Sequence, residues 1–300
     1  PARNGPGLAA ILPGLSPAGP WIRRMSWTIL AAAVLIYSGI LVLLRVYESR
    51  LIYFPGPERT LVAPPPSLAL PVQRVEITTE DAVNLVAWVM PAEPGSSWWL
   101  LVCHGNAGNL SEFDRPLHYA GLRQLGLNLL AFDYRGYGES GGTPSETGLY
   151  RDADAAYRYL TNQRGIPADR ILIFGHSLGS AVAVDLASRV RSAGLIVEGA
   201  FTSATERGQE LYPYIPVRWI AKSRFSSVDK ISRVTVPKLF LHAQGDEVIP
   251  LAHGRRLYEA APPPKTFVEL RGGHGDAFDV DSANYFGSIQ RFLKSLPPNQ

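Results

Sequence analysis

Cysteine is nearly absent: Cys103 is the only one in 300 residues. No disulfide can close within the chain, and the cysteine count carries no information on redox compartment. Charge is thin as well, with 18% Asp, Glu, Lys and Arg and a formal net charge of +3. The basic residues are scattered and form no run, which excludes the footprint of a nucleic-acid surface, and no nucleic-acid partner is expected. The 6 histidines stand too far apart for a zinc pattern such as HExxH, so no metal is expected. Repeats and low-complexity tracts are missing too, and a hydrophobic content of 46% is that of a globular chain. Its length fits one large domain with an appendage, or two small domains.

What is present first is a stretch without charge, MSWTILAAAVLIYSGILVLL, residues 25–44. As a helix it would be about 30 Å long, the thickness of a bilayer core. Arg23 and Arg24 precede it, Arg45 follows, and Trp27, Tyr37 and Tyr47 stand where interfacial anchors belong. A cleaved signal peptide competes with this reading, but Leu43-Leu44-Arg45 offers no small-residue cleavage site. A single-pass membrane anchor over residues 25–46 is expected. Its orientation stays open, because arginines balance on the two sides. Residues 1–24, rich in Gly, Pro and Ala, read as an unfolded tail; Met25 is the first methionine, so they also read as an upstream extension. Residues 47–71 form a Pro-rich connector whose Ile52-Tyr53-Phe54 is expected at the membrane surface.

From residue 72 the pattern becomes regular. Strand-like runs fall at 74–79, 84–90, 98–103, 127–132, 170–174, 195–198, 238–242 and 266–270. The later ones are short and continuously apolar, such as LLVC, LLAF and ILIF, which suits parallel strands buried on both faces. Helical patterns over 115–124, 145–162, 178–189, 254–261 and 282–296 separate them. TPSE at 143–146 reads as a helix start with Thr143 as cap and Glu146 closing the capping box. Two antiparallel strands followed by strand–helix alternation predict an α/β fold with a mostly parallel eight-stranded sheet and helices on both faces. The insertion at about 205–235 breaks the alternation and falls where a cap over a site would lie.

Two Gly-x-Ser-x-Gly patterns occur, centred on Ser140 and Ser177. Ser177 follows the buried run ILIF and precedes a small-residue helix, which is the strand–turn–helix context in which such a serine is lifted clear as a nucleophile. Ser140 lies in GYGESGGTP and reads as a connection. A serine hydroxyl needs a base, an acid to orient the base, and donors for the oxyanion. His274, in the Gly-flanked loop RGGHGDAF, is the expected base. His242 sits inside a strand, His118 and His253 fall on helical segments and read as surface residues, and His176 cannot swing round to serve its neighbour. Asp246 is the expected acid, with Glu247 and Asp276 as lesser competitors. Asn106 in CHGNAGN, paired with Leu178, would supply two backbone amides to the oxyanion, while His104 reads as a loop hydrogen bond and Cys103 as a small buried side chain. His176 and Trp219 are expected substrate contacts.

Together HGNAGN, DYRGYGESGG, FGHSLGSAVA, HAQGDEVIP and GGHGD resemble the α/β-hydrolase superfamily over residues 51–296. More narrowly, the chain is similar to its membrane-anchored serine hydrolase branch, in which the family more often has Asn where Gly275 follows the base. The resemblance implies ester or thioester hydrolysis through an acyl-enzyme, with lysophospholipase and protein-depalmitoylating members in that branch, and it implies no cofactor. Asp133-Tyr134-Arg135 matches the motif after the fourth strand, which implies Tyr134 as a substrate contact on the pocket wall and Asp133 and Arg135 as structural residues. The substrate expected is a small-molecule or lipid-like ester. A membrane-tethered scaffold without catalysis, or a serine peptidase, are the alternatives.

Overall fold

The computed structural model describes residues 20–92, 96–112 and 114–296, and the chain divides into two compact units, residues 1–44 and 45–300. The described part of the first unit, residues 20–44, belongs to helix α1 (Pro20–Val46), with proline at its first position, where no intrahelical N–H is needed. Arg24–Val46 is long and apolar enough to cross a membrane. The helix begins earlier than Met25, so residues 20–24 are not part of an unfolded tail; residues 1–19 lie outside the described residues.

The second unit holds one eight-stranded sheet in the order β1-β2-β4-β3-β5-β6-β7-β8. Its strands are β1 (Gln73–Thr78), β2 (Asn84–Met90), β3 (Trp99–Cys103), β4 (Asn128–Phe132), β5 (Ile171–His176), β6 (Gly194–Glu198), β7 (Lys238–Ala243) and β8 (Lys265–Leu270). β2 runs antiparallel to β1 and β4, and every other pair is parallel. In chain order the helices are α2 (Glu48–Ile52), α3 (Arg115–Gln124), α4 (Glu146–Arg158), α5 (Leu178–Ala187), α6 (Ala204–Leu211), α7 (Val217–Ile220), α8 (Val228–Ile231), α9 (Leu251–Ala260), α10 (Ala277–Val280) and α11 (Ser282–Ser295).

The run ILIF shows why the central strands are continuously apolar. Successive side chains point to opposite faces, so Ile171 and Ile173 enter a core with Leu101, Phe132, Val197 and Phe240, covered by Leu149, Val182 and Leu257 of α4, α5 and α9. Leu172 and Phe174 enter a second core with Val102, Ile196 and Leu239, covered by Tyr119 of α3 and by Tyr285, Ile289 and Phe292 of α11. Each such side chain, fully buried, stabilises the fold by about 1.5–3 kcal/mol. The parallel strands therefore all end on one edge, where loops meet and where ligands bind in sheets of this kind.

Three local expectations are corrected. Helix α4 is capped by Ser145, whose hydroxyl accepts from Gly148 N at 3.1 Å, and not by Thr143. Glu146 is thereby released from a capping box; its carboxylate instead accepts from Tyr150 Oη and from the amides of Arg224 and Phe225. The segment Ile52-Tyr53-Phe54 lies on the surface only in part, with Phe54 half exposed. Tyr53 is buried against the core, its ring edge-on to Phe225, and Phe54 forms a parallel bridge with Ala107. Glu48 is also buried, its carboxylate accepting from the amides of Lys222 and Ser223. The insertion folds into α6, α7 and α8 but contributes no lining to the cavity described below, so it does not roof it.

Candidate active site

At the end of β5 the chain turns sharply into α5, and Ser177 takes φ 53° and ψ −121°, a conformation that costs a non-glycine residue energy and persists only where its surroundings impose it. They do so here. The Ser177 amide donates to the Glu198 carbonyl at 2.9 Å, and the Ser177 carbonyl accepts from Ser180 Oγ at 2.6 Å. The flanking glycines are demanded by space: a Cβ at Gly175 would lie 2.2 Å from the Gly179 carbonyl oxygen, and one at Gly179 would lie 2.0 Å from that of Cys103.

Ser177 Oγ is 2.8 Å from His274 Nε2, and His274 Nδ1 is 2.7 Å from Asp246 Oδ2. Oδ1 of Asp246 accepts from the amides of Val248 and Ile249 at 2.9 and 2.7 Å. With Asp246 accepting on one side, the His274 proton sits on Nδ1 and leaves Nε2 free to accept from the serine. Burial works against charge on Asp246, but the hydrogen bond and positive field of His274 and the Ile249 amide outweigh it and hold the carboxyl below its ordinary range. Glu247 is exposed, and so is Asp276, which accepts from the Gly273 amide.

The loop carrying His274 is held from two directions. Gly245 N donates to the Gly272 carbonyl at 3.1 Å, tying the loop of Asp246 to the loop of His274. His176 Nε2 donates to the His274 carbonyl at 2.8 Å; burial, with the field of His274, pushes the His176 imidazole down to about 3, so it is a neutral donor. His242, packed in β7, donates from Nε2 to the Ile249 carbonyl at 2.9 Å and stands 3.6 Å from Asp246 Oδ2.

Asn106 follows β3. Its side-chain amide donates to the Ile52 carbonyl, and its Oδ1 accepts from Tyr137 Oη at 2.9 Å. Both ends of the side chain are thus engaged away from Ser177, while the residue itself stands on the cavity wall. Leu178 is the first residue of α5, where N–H groups have no intrahelical acceptor. A Cβ at Gly105 would lie 2.8 Å from His176 Nδ1, which is why the loop can close on β5 only through glycine. These elements enclose a cavity of about 620 Å³, whose walls include Phe54, Val102, Phe174 and Phe278 beside Ser177 and His274.

The expected substrate contacts separate. His176 lines the cavity. Tyr134 does not: it is fully buried, its hydroxyl donating to the His104 carbonyl at 2.9 Å. Trp219, on α7, is 90% exposed and away from the cavity lining. Ser140 is buried between Val86 N and the Asp133 carbonyl, and Arg135 between Asp81 and Asp152. Two histidines expected at the surface are buried. His253 bonds Thr202 and Glu210, and His118 lines the cavity and bonds Tyr285. Sequence reasoning also passed over Glu198, which lines the cavity from the end of β6. A signal existed for both: His118 lies one turn before Leu122 on the buried stripe of α3, and Glu198 shares the parity of Ile196 in a strand with no exposed face.

The sequence model of the alpha/beta hydrolase fold matches residues 99–214. Alpha/beta hydrolase domain-containing protein 17C of Xenopus laevis is 34% identical over 223 residues, spanning 74% of this chain and 69% of that protein. The chain belongs to the α/β-hydrolase family. An uncharacterized protein of Mycobacterium tuberculosis is a further relative of this hydrolase, 39% identical over 270 residues, which span 88% of this chain and 94% of that protein. Among solved structures the hydrolase is similar in fold to the Pyrococcus furiosus esterase Pf2001, with a TM-score of 0.67 at 22% identity, covering 80% of this chain and 98% of that one.

Proposed function

We propose that this hydrolase cleaves carboxylic esters through an acyl-enzyme, acting on acyl or lipid-like esters. The observation that carries the reading is the unbroken chain of hydrogen bonds from Ser177 Oγ through His274 to Asp246, at 2.8 and 2.7 Å. Ser177 Oγ attacks the ester carbonyl while His274 Nε2 takes its proton. The Asn106 and Leu178 amides receive the oxyanion. His274 then delivers the proton to the departing alcohol, leaving the acyl group on Ser177. Water, deprotonated by His274, attacks the acyl-enzyme; the acyl bond to Ser177 Oγ breaks, His274 returns the proton to Oγ, and the acid is released. Asp246 keeps His274 in the Nδ1–H tautomer and stabilises its charged form.

The apolar cavity wall supports an acyl substituent, and α1 supports attachment to a membrane by one N-terminal span. The same chemistry applies to thioesters. The test is hydrolysis of p-nitrophenyl esters from acetate to palmitate by the full chain, with Ser177→Ala as the paired control. Activity that disappears in the variant, by about 10⁴-fold or more, supports the reading, and the optimum reports the acyl length. A folded protein inert on every ester and thioester would overturn it.

A further inference from the structure

The proposed chemistry uses Ser177, His274 and Asp246, yet the same cavity contains a second set of buried polar groups to which it assigns no task. Glu198 closes β6 and pairs in register with His176, so it stands beside the residue preceding Ser177. Its own carbonyl accepts the Ser177 amide. By strand parity its side chain lies on the face of Phe174 and His176, under α3 and α11. There Glu198 Oε2 accepts from Tyr285 Oη at 2.8 Å, and Tyr285 Oη is 2.8 Å from His118 Nε2. Three side chains from β6, α11 and α3, each at least nine-tenths buried, thus converge beside the nucleophile.

The second carboxyl oxygen is left over. Oε1 of Glu198 has no hydrogen-bond partner among the described residues, is not among the buried atoms sealed from space, and belongs to a residue lining the cavity. A buried carboxyl with an idle oxygen is costly unless something from outside completes it. Packing alone would have been served better by an apolar residue there, since Ile196 and Phe174 already continue the core on that face.

We propose that Glu198, oriented by Tyr285 and His118, is a binding subsite for a hydroxyl group of the substrate, so that the preferred esters are hydroxylated ones such as those of polyols. This rests on the ester-hydrolase reading above. The hydroxyl is favoured over an ammonium by its surroundings. Burial lifts the Glu198 carboxyl to about 7, so near neutrality it exchanges between acceptor-only and donor-bearing forms, and a hydroxyl can meet either. An ammonium meets only the first, and it would share the cavity with the Arg115 guanidinium.

The test has two parts. In the first, the non-hydrolysable ether 1-O-butylglycerol is compared with butyl methyl ether for binding to the full chain by titration calorimetry. The glyceryl ether is expected to bind about tenfold more tightly, and the preference to fall to about one in Glu198→Leu. Tyr285→Phe keeps the ring and its packing and is expected to reduce the preference by about threefold, which covers the case in which Glu198→Leu does not fold. Equal binding of the two ethers by the unsubstituted protein, or a preference untouched by either variant, overturns the proposal. This readout needs no turnover, so it separates failure of the subsite from failure of the ester reading. In the second part, kcat/KM for glyceryl 1-butyrate against propyl butyrate is measured within each enzyme. A ratio above one that collapses in Glu198→Leu supports the subsite, and a ratio of one in the unsubstituted enzyme counts against it.

Discussion

His176 holds the backbone of His274: its Nε2–H reaches the His274 carbonyl at 2.8 Å, across 98 residues of sequence. The residue next to the proposed nucleophile thus sets the height of the proposed base. Replacing it by Ala removes that tether without touching Ser177 Oγ. We expect His176→Ala to lower kcat per folded molecule by about 10- to 100-fold, measured on p-nitrophenyl butyrate. Unchanged kcat would show that the loop is held well enough by Gly245 and Asp276.

The two Gly-x-Ser-x-Gly serines separate function from structure. Ser140 is fully buried and bonded on both sides, to Val86 N and the Asp133 carbonyl. Ser140→Ala leaves the Val86 amide without an acceptor and is expected to cost about 1–3 kcal/mol of stability, with turnover per folded molecule retained. Ser177→Ala is expected to do the reverse. Denaturant melts and burst titration of active sites distinguish them.

Glycines of the site differ in the same way. A Cβ at Gly179 would lie 2.0 Å from a strand carbonyl, whereas a Cβ at Gly275 meets nothing within 4 Å among the described residues. Gly179→Ala is expected to prevent folding to the native structure, while Gly275→Ala stays within about 0.5 kcal/mol of the parent. Thermal melts of the purified proteins check both.

Glu198 gives a pH dependence with a defined sign. Burial lifts its carboxyl to about 7 from an ordinary 4.5, helped by the Asp246 carboxylate and opposed by the Tyr285 hydroxyl. His176 lies beside it on β5, and His118 and Arg115 face the cavity from α3. Between the two values the folded protein keeps a proton that the unfolded chain has released. The contribution is therefore full below 4.5 and is lost as pH rises through about 7. Glu198→Gln cannot ionise, so its Tm relative to the parent should rise by on the order of 5 °C between about pH 5 and about pH 8. A constant difference would refute the assignment.

Much of this architecture was legible because buried parallel strands must be apolar on both faces. ILIF and LLVC can be little else, and the residues after them are where chemistry can be mounted. That rule and chain order point to Ser177, Asp246 and His274 as the candidates, and hydrogen bonds join those three side chains. What could not be read depended on contacts across the fold. Thr143 and Ser145 are both acceptable caps, and only the reach of Ser145 to Gly148 decides between them. Tyr134 and Tyr53 have the amphipathic character of a wall or a membrane surface, yet each spends its hydroxyl inside the domain, on His104 and Ser223. Trp219 carries the opposite lesson, since a large aromatic in an insertion need not face the cavity.

The bond from Asn106 to the Ile52 carbonyl has a consequence for how the protein can be cut. A residue whose amide is proposed to receive the oxyanion is steadied by a backbone that leaves helix α1 only six residues earlier in sequence, Val46 to Ile52. A protease that trims the chain after Phe54 would carry away that support, the Phe54 wall and the Glu48 link to residues 222–223 in a single stroke. Loss of residues 1–54 is therefore expected to inactivate the hydrolase, whereas a cut ahead of Glu48 would leave all three contacts in place.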